Sequence, residues 1–434
     1  MLKKIIRNCI PKNIYEKIYD IKYAIKIRYF YSYIYQKYEK KTKNRKIRIV
    51  FIVQRTEVFS SVASIFNEAK KNKDIDEYLF ALPPNRKNGR SLDLNSTKVI
   101  DFCKKITNKV INSYDDQTNT YYDLEKLNPD YIFLNVPYTT HYPEKYNMEY
   151  LSSIAKVCYV PYGFNLFANK NHYNLLFQDA LLKNVYFLFA EGDATYYYLK
   201  GKLSFSQWHR NQRLYNIGFP RFDMYEKLNV EKINNKSIKN ILYIPRWTSI
   251  HRNIKKGNIG SSFFEVKDKI IEYSEKNKDI DIVIRPHPLA FSNYIQSGEM
   301  SKIEVDEYEN KIEKRNNVFL DKNNTYINSL LNADVLIADF SSIIIEFFIT
   351  GKPIIYFGSK NEISSLYSYI YDTFYIVNSW EDIERVLTEL KKGNDYLKEK
   401  RKKSIQVFNK SQGKNTGKKI IDVLMNDYYK INTK

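Results

Sequence analysis

The stretch DVLIADFSSIIIEFFITGKPIIYFG, residues 334–358, holds the fold in miniature. DVLIAD and PIIYFG are unbroken apolar runs of strand length, which is what a strand covered on both faces of a parallel sheet requires. Between them, Ser341 and Ser342 open a helical run that Gly351 and Pro353 close. Serine hydroxyls and free backbone N–H groups at a helix start make a ready site for an anion. Glu346 is the only charge in IIIEFFIT, and burying it without a partner is expensive, so a ribose hydroxyl, a cytosine amino group or Lys352 is expected to meet it.

Working outward, the same pattern recurs in ILYIP (241–245), DIVIRP (281–286) and NVFL (317–320). An earlier series comprises IRIVFIV (47–53), YLFAL (78–82), YIFLNV (131–136), KVCYVPYG (156–163), NVYFLFAEG (184–192) and LYNIGFP (214–220). The polar segment 229–240 reads as a linker between the two series. At 434 residues the chain exceeds the roughly 250 to 300 that one core sustains. The expectation is therefore an α/β chain of two Rossmann-like domains, 47–228 and 229–434, facing a central cleft that holds the active site. Neither a GxGxxG nor a Walker A loop is present, which disfavours dinucleotides and a P-loop.

The formal charge is +21, and residues 1–46 hold 14 Lys and Arg against three acids. Ile14, Ile18, Ile21 and Ile25 recur at helical spacing among lysines and tyrosines, so this leader reads as a basic amphipathic helix suited to an anionic membrane surface. Nucleic acid is disfavoured, since no known binding module accompanies the charge. Cys9, Cys103 and Cys158 lie far apart with no metal-ligand spacing, so no metal, cofactor or disulfide framework is expected. No apolar run reaches the roughly 18 residues of a membrane span and no signal peptide is visible. The protein is expected in the cytoplasm, peripheral on the inner face of the membrane.

Three polar clusters follow three strands of the second series. Arg246, Trp247 and Thr248 follow the first, Arg285 and His287 the next, and Asp339, Ser341 and Ser342 a third. Ligands of open parallel sheets bind outside the carboxyl ends of strands, so the clusters should converge on a phosphate or pyrophosphate. His287 stands between Pro286 and Pro288, which fix its direction, and is suited to donate a proton or a hydrogen bond to a leaving phosphate. In the first domain, His141 and His172 follow strands and are candidates for a base.

GFPRFD (218–223), ILYIPRWTS, IRPHP and IADFSSIIIEFFITGKPIIYF stand in the order and spacing of the CDP-glycerol glycerophosphotransferases, and residues 130–360 resemble that family. The resemblance implies a GT-B type fold, a peripheral membrane location and transfer of glycerol phosphate, or another polyol phosphate, from a CDP-activated donor. The acceptor would be a hydroxyl of a cell-surface polysaccharide, such as teichoic acid or capsule, or a lipid-linked acceptor, with release of CMP. It further implies Arg285 and His287 as donor-phosphate contact and proton donor, and Arg246, Thr248, Ser341, Ser342 and Glu346 as donor-binding residues. Tyr162 and Gly163 stand where the family's polymerases carry His-Gly, with Arg221 beside the acceptor. An unperturbed tyrosine, with a pKa of about 10, is a poor base, which leaves His141, His172 or Asp339 for that role. The alternatives are a glycosyltransferase using a CMP- or other nucleotide-activated sugar in capsule or lipooligosaccharide synthesis, which the HP motif and later serine pair also resemble but whose acidic pair before glycine is met only by Glu191 and Gly192 in FAEGDAT, and a non-catalytic membrane-docked scaffold.

Overall fold

The computed structural model describes residues 45–82, 97–166, 170–207, 213–225, 237–247, 261–323, 325–359 and 363–429. The leader helix lies outside them except for its last two residues, and so do Cys9, His209, Thr248 and His251. Contacts divide the chain into two units. The first runs to Gly163, then from Lys170 to Asp223 and again from Gly413; the second comprises Phe164–Asn169 and Met224–Gln412. The C-terminal stretch thus belongs with the first series of strands, whereas the sequence alone assigned it to the second.

The first unit is built on a seven-stranded parallel sheet. Its strands are β1 (Ile47–Val53), β2 (Ile75–Ala81), β3 (Val110–Asn112), β6 (Tyr131–Leu134), β7 (Lys156–Tyr159), β8 (Phe187–Ala190) and β9 (Arg213–Asn216). A small hairpin, β4 (Tyr114–Asp115) and β5 (Thr120–Tyr121), interrupts the series. The order β3-β2-β1-β6-β7-β8-β9 reverses direction between β1 and β6. Every residue from Tyr131 to Leu134 and from Phe187 to Ala190 is buried, as expected of strands covered on both faces. Phe51 stacks on Phe133 at 4.8 Å, and Phe66 meets Phe51 edge-on at 5.4 Å from the helix Ser60–Lys71.

The C-terminal helix Thr416–Tyr429 packs Ile420, Ile421 and Leu424 into this same core. Its first turn is held by Asp223, whose carboxylate accepts the N–H groups of Thr416 (2.9 Å) and Gly417 (2.8 Å) as well as the Ser64 hydroxyl. Only glycine fits at 417, because a Cβ there would lie 2.7 Å from the backbone carbon of Ser64. Near the other end, Tyr131 (2.5 Å) and Lys156 (2.6 Å) bond Asp427. Arg221 is buried, donates to Ser60 Oγ and lies 5.9 Å over the Phe219 ring. GFPRFD therefore seats a helix, and Arg221 is engaged inside its own unit.

The second unit carries a six-stranded parallel sheet of β10 (Asn240–Ile244), β11 (Asp281–Ile284), β12 (Val318–Leu320), β13 (Val335–Ala338), β14 (Ile354–Phe357) and β15 (Tyr375–Val377). The order β12-β11-β10-β13-β14-β15 reverses between β10 and β13. Among the described residues, no helix of either unit is long and apolar enough to cross a membrane. The helix opened by the serine pair is short, Ile343–Phe348. It ends in a turn at Gly351 with φ of +79°, where the buried Arg401 donates to the Gly351 carbonyl at 2.8 Å.

Asp339, just beyond β13, turns inward. Its Oδ2 accepts the N–H of Arg246 (2.9 Å), past the end of β10, and that of Ser262 (2.9 Å). Oδ1 is buried with no partner among the described residues. Burial pushes the Asp339 carboxyl up to about 6, although the bonds from Arg246 and Ser262 favour its charged form. A raised folded-state pKa means a contribution to stability that is full below the unfolded value, about 4, and is lost as pH rises to about 6. Asp339→Asn keeps an oxygen for the two N–H groups but does not titrate. Relative to that variant, the wild type should lose on the order of 2 kcal/mol between roughly pH 4 and pH 6, read as a falling difference in melting temperature. A difference independent of pH would refute the assignment.

Candidate functional site

Three loops leave the carboxyl ends of β11, β10 and β13, which are consecutive in the second sheet. Bonds and ring contacts join them. Besides the Asp339 link from β13 to β10, the Arg246 guanidinium lies 4.7 Å over the Phe340 ring. Asn293 Nδ2 donates to the Trp247 carbonyl at 3.2 Å, and the Trp247 ring stands 5.4 Å from that of His287 at 31°.

His287 owes its state to the prolines. Pro288 has no N–H to offer, so the first backbone donor after the imidazole is Leu289, whose N–H reaches His287 Nδ1 at 3.1 Å. By this network Nδ1 is the acceptor, and the neutral ring carries its proton on Nε2. The residue is exposed, so a donor is presented on an exposed side chain of fixed orientation.

The other sequence-chosen residues divide into two groups. Ser341 Oγ accepts the Ile343 N–H at 3.3 Å, and Ser342 is exposed at the helix start with no cap bond from its own side chain. These two serines, Arg246, Trp247 and His287 share the carboxyl edge. Arg285 instead donates to Asp321 Oδ2 (2.7 Å) and the Asn323 carbonyl (2.8 Å). Burial alone would raise the Asp321 carboxyl, but bonds from Ser329, the Asn323 N–H and Arg285 outweigh it and hold the carboxyl low. The Arg285 charge is thus matched within the protein. Glu346, fully buried, accepts the hydroxyls of Tyr225 (2.9 Å) and Tyr326 (2.6 Å). Lys352 does not pair with it and donates to the carbonyls of Leu331 and Ala333, both at 2.6 Å. Asp339, buried against backbone donors, does not present the accessible lone pair that a base needs.

The first unit has its own group at the carboxyl ends of β1, β6 and β7. Arg55 Nη2 lies 3.3 Å from His141 Nδ1, and Gln54 Nε2 donates to the His141 carbonyl at 3.2 Å. The Tyr138 ring packs on His141 at 5.0 Å, and its hydroxyl meets that of Tyr162 at 3.1 Å, one residue before Gly163. Burial first, then Tyr138, raises the Tyr162 phenol far above its ordinary range while Arg55 opposes, so Tyr162 stays protonated and is no base. His172 sits half-buried in the helix Lys170–Leu176. Arg55 was not singled out from the sequence, yet its signal is there: it comes two residues after the run IRIVFIV, the position that marked Arg246. Among the described residues, no group of His, Cys, Asp and Glu has the arrangement of a metal site.

A family model described as CDP-glycerol:poly(glycerophosphate) glycerophosphotransferase matches residues 202–426. No curated protein matches the chain. Among solved structures, the chain is similar to the wall teichoic acid polymerase TagF, with a TM-score of 0.51 at 15% identity over 97% of this chain and 99% of that one. It is also similar to the UDP-GlcNAc 2-epimerase of Neisseria meningitidis bound to UDP-GlcNAc, with a TM-score of 0.53 at 14% identity over 88% and 100% of the two chains. At such identities the likeness is one of fold, that of the two-sheet GT-B type. The family match spans more than half of the residues and covers the whole second sheet with its polar edge, so the chain belongs to the CDP-glycerol:poly(glycerophosphate) glycerophosphotransferase family and is a transferase.

Proposed function

We propose that the chain moves glycerol phosphate, or another polyol phosphate, from a CDP-activated donor to a hydroxyl of a surface polysaccharide or lipid-linked acceptor and releases CMP. The observation that carries this reading is His287, an exposed donor of fixed tautomer beside Trp247, which follows β10 at the switch point of a parallel sheet. In this reading the acceptor oxygen attacks the phosphorus that bears the polyol, and the bond from that phosphorus to the bridging oxygen breaks. CMP leaves with the electron pair as its phosphate anion, and His287 Nε2–H donates a hydrogen bond to that leaving phosphate. Arg246 and the Ser341 and Ser342 hydroxyls carry the donor's phosphate charge, while Thr248 lies outside the described residues. Arg285 acts through Asp321 and Asn323, holding the loop that presents His287. Phosphoryl transfer with a loose transition state depends chiefly on positioning and charge stabilisation, so the acceptor proton leaves late and passes to solvent.

CMP release from CDP-glycerol in the presence of a lipid-linked oligosaccharide extract should depend on acceptor and fall by about 100-fold or more in His287→Ala, the usual scale of a lost hydrogen-bond donor to developing charge. Release from CMP-sialic acid and not from CDP-glycerol or CDP-ribitol would instead make the chain a glycosyltransferase. The basic leader supports a place on an anionic membrane face. The full chain should float with anionic and not neutral liposomes, and removal of residues 1–46 should abolish flotation; undiminished flotation would remove the leader from the proposal.

A further inference from the structure

The first sheet reverses its order between β1 and β6, so the same rule that locates the ligand edge of the second unit locates one here. Arg55 stands at that point, half-buried, just past the end of β1. A guanidinium only donates, so its contact with His141 requires Nδ1 to accept and leaves the proton of the neutral imidazole on Nε2. The surroundings hold this pair in place. Gln54 bonds the His141 carbonyl, and Asn135 Nδ2 ties the loop after β6 to Val58 O (2.9 Å) in the loop after β1 and to Ser61 Oγ (3.1 Å) in the helix that follows it.

Charge is the decisive feature. The carboxylate nearest to Arg55 in sequence, Glu57, is paired with Lys98 at 3.1 Å, and among the described residues Arg55 meets no carboxylate. A half-buried cation that meets no carboxylate among the described residues, beside a second N–H donor, suits an oxyanion with several acceptor oxygens. The planar guanidinium fits phosphate in particular.

We propose that the first unit carries its own phosphate-binding site, in which Arg55 contacts the anion and His141 both orients the guanidinium through Nδ1 and donates through Nε2. The site takes a phosphate mono- or diester, and in the transferase proposed above it grips a phosphate of the acceptor. That last step rests on the proposed function; the anion site does not. It also gives His141 the work of a donor, since a base would need the Nε2 lone pair that this tautomer lacks.

The test is a titration of the full-length protein with sn-glycerol 3-phosphate, with CDP present in excess and glycerol as the uncharged control. Arg55→Gln should weaken glycerol 3-phosphate at least tenfold, and His141→Gln should weaken it by less. Arg55→Lys, which keeps the charge and loses the fork, should fall between wild type and Arg55→Gln. CDP affinity and the melting curve should stay unchanged in all three. Wild-type affinity in Arg55→Gln, or in Arg55→Lys should the glutamine variant not fold, would overturn the proposal, as would no binding by the wild type. Absence of CDP binding would count against the proposed transferase alone, because the Arg55 dependence is read from a different ligand.

Discussion

Oδ2 of Asp339 accepts two backbone N–H groups, from Arg246 and Ser262, and so pins the loop after β10 to the end of β13. Ser261 and Tyr294 complete the junction by donating to the Arg246 carbonyl at 2.8 and 2.6 Å. Arg246 is thereby fixed at both backbone groups, and its guanidinium rests over Phe340. Trp247, the next residue, meets His287, so the position of the imidazole on the third loop depends on the same junction. The arrangement costs stability: a carboxylate is buried with one oxygen unanswered among the described residues, where an unmade bond costs about 1 to 3 kcal/mol. Such a cost is typical of places where one geometry matters more than the depth of the fold.

The first unit uses a carboxylate for a different end. Asp223 joins GFPRFD to the start of the C-terminal helix and lets the last elements of the chain complete a core begun at Ile47. Inside the second unit charge is matched by Arg285 with Asp321 and by Arg401 with Asp395, and Glu346 is met by two phenolic hydroxyls. Against that background Arg55 stands out, because its described partner is an imidazole nitrogen.

The strands were legible because parallel strands covered on both faces are written as unbroken runs of Ile, Val, Leu and Phe. The two parallel strands that escaped, β3 and β15, are edge strands of only three residues with partly exposed side chains, too short to stand out as runs. The convergence of Arg246, Trp247, His287 and the serine pair was also legible, since strand ends and sheet order place them without knowledge of contacts. What the sequence hid were partners far away along the chain. Nothing near Arg285 announces Asp321, nothing near Glu346 announces Tyr225, and nothing near Asp223 announces Gly417. Arg285 was therefore read as available to a ligand, and Glu346 as meeting a ligand or Lys352, when folding had already given both other partners. The resemblance to a family carried the chemistry but placed Arg221 with the acceptor, where the structure has it bonded to Ser60.

The central claim is that phosphorus moves with the polyol. CDP-glycerol labelled with ³²P at the phosphorus next to glycerol tests it directly, with a lipid-linked oligosaccharide as acceptor. Attack at that phosphorus predicts label in the acceptor and unlabelled CMP. Label retained on a released nucleoside diphosphate would contradict it and place the broken bond on the glycerol side.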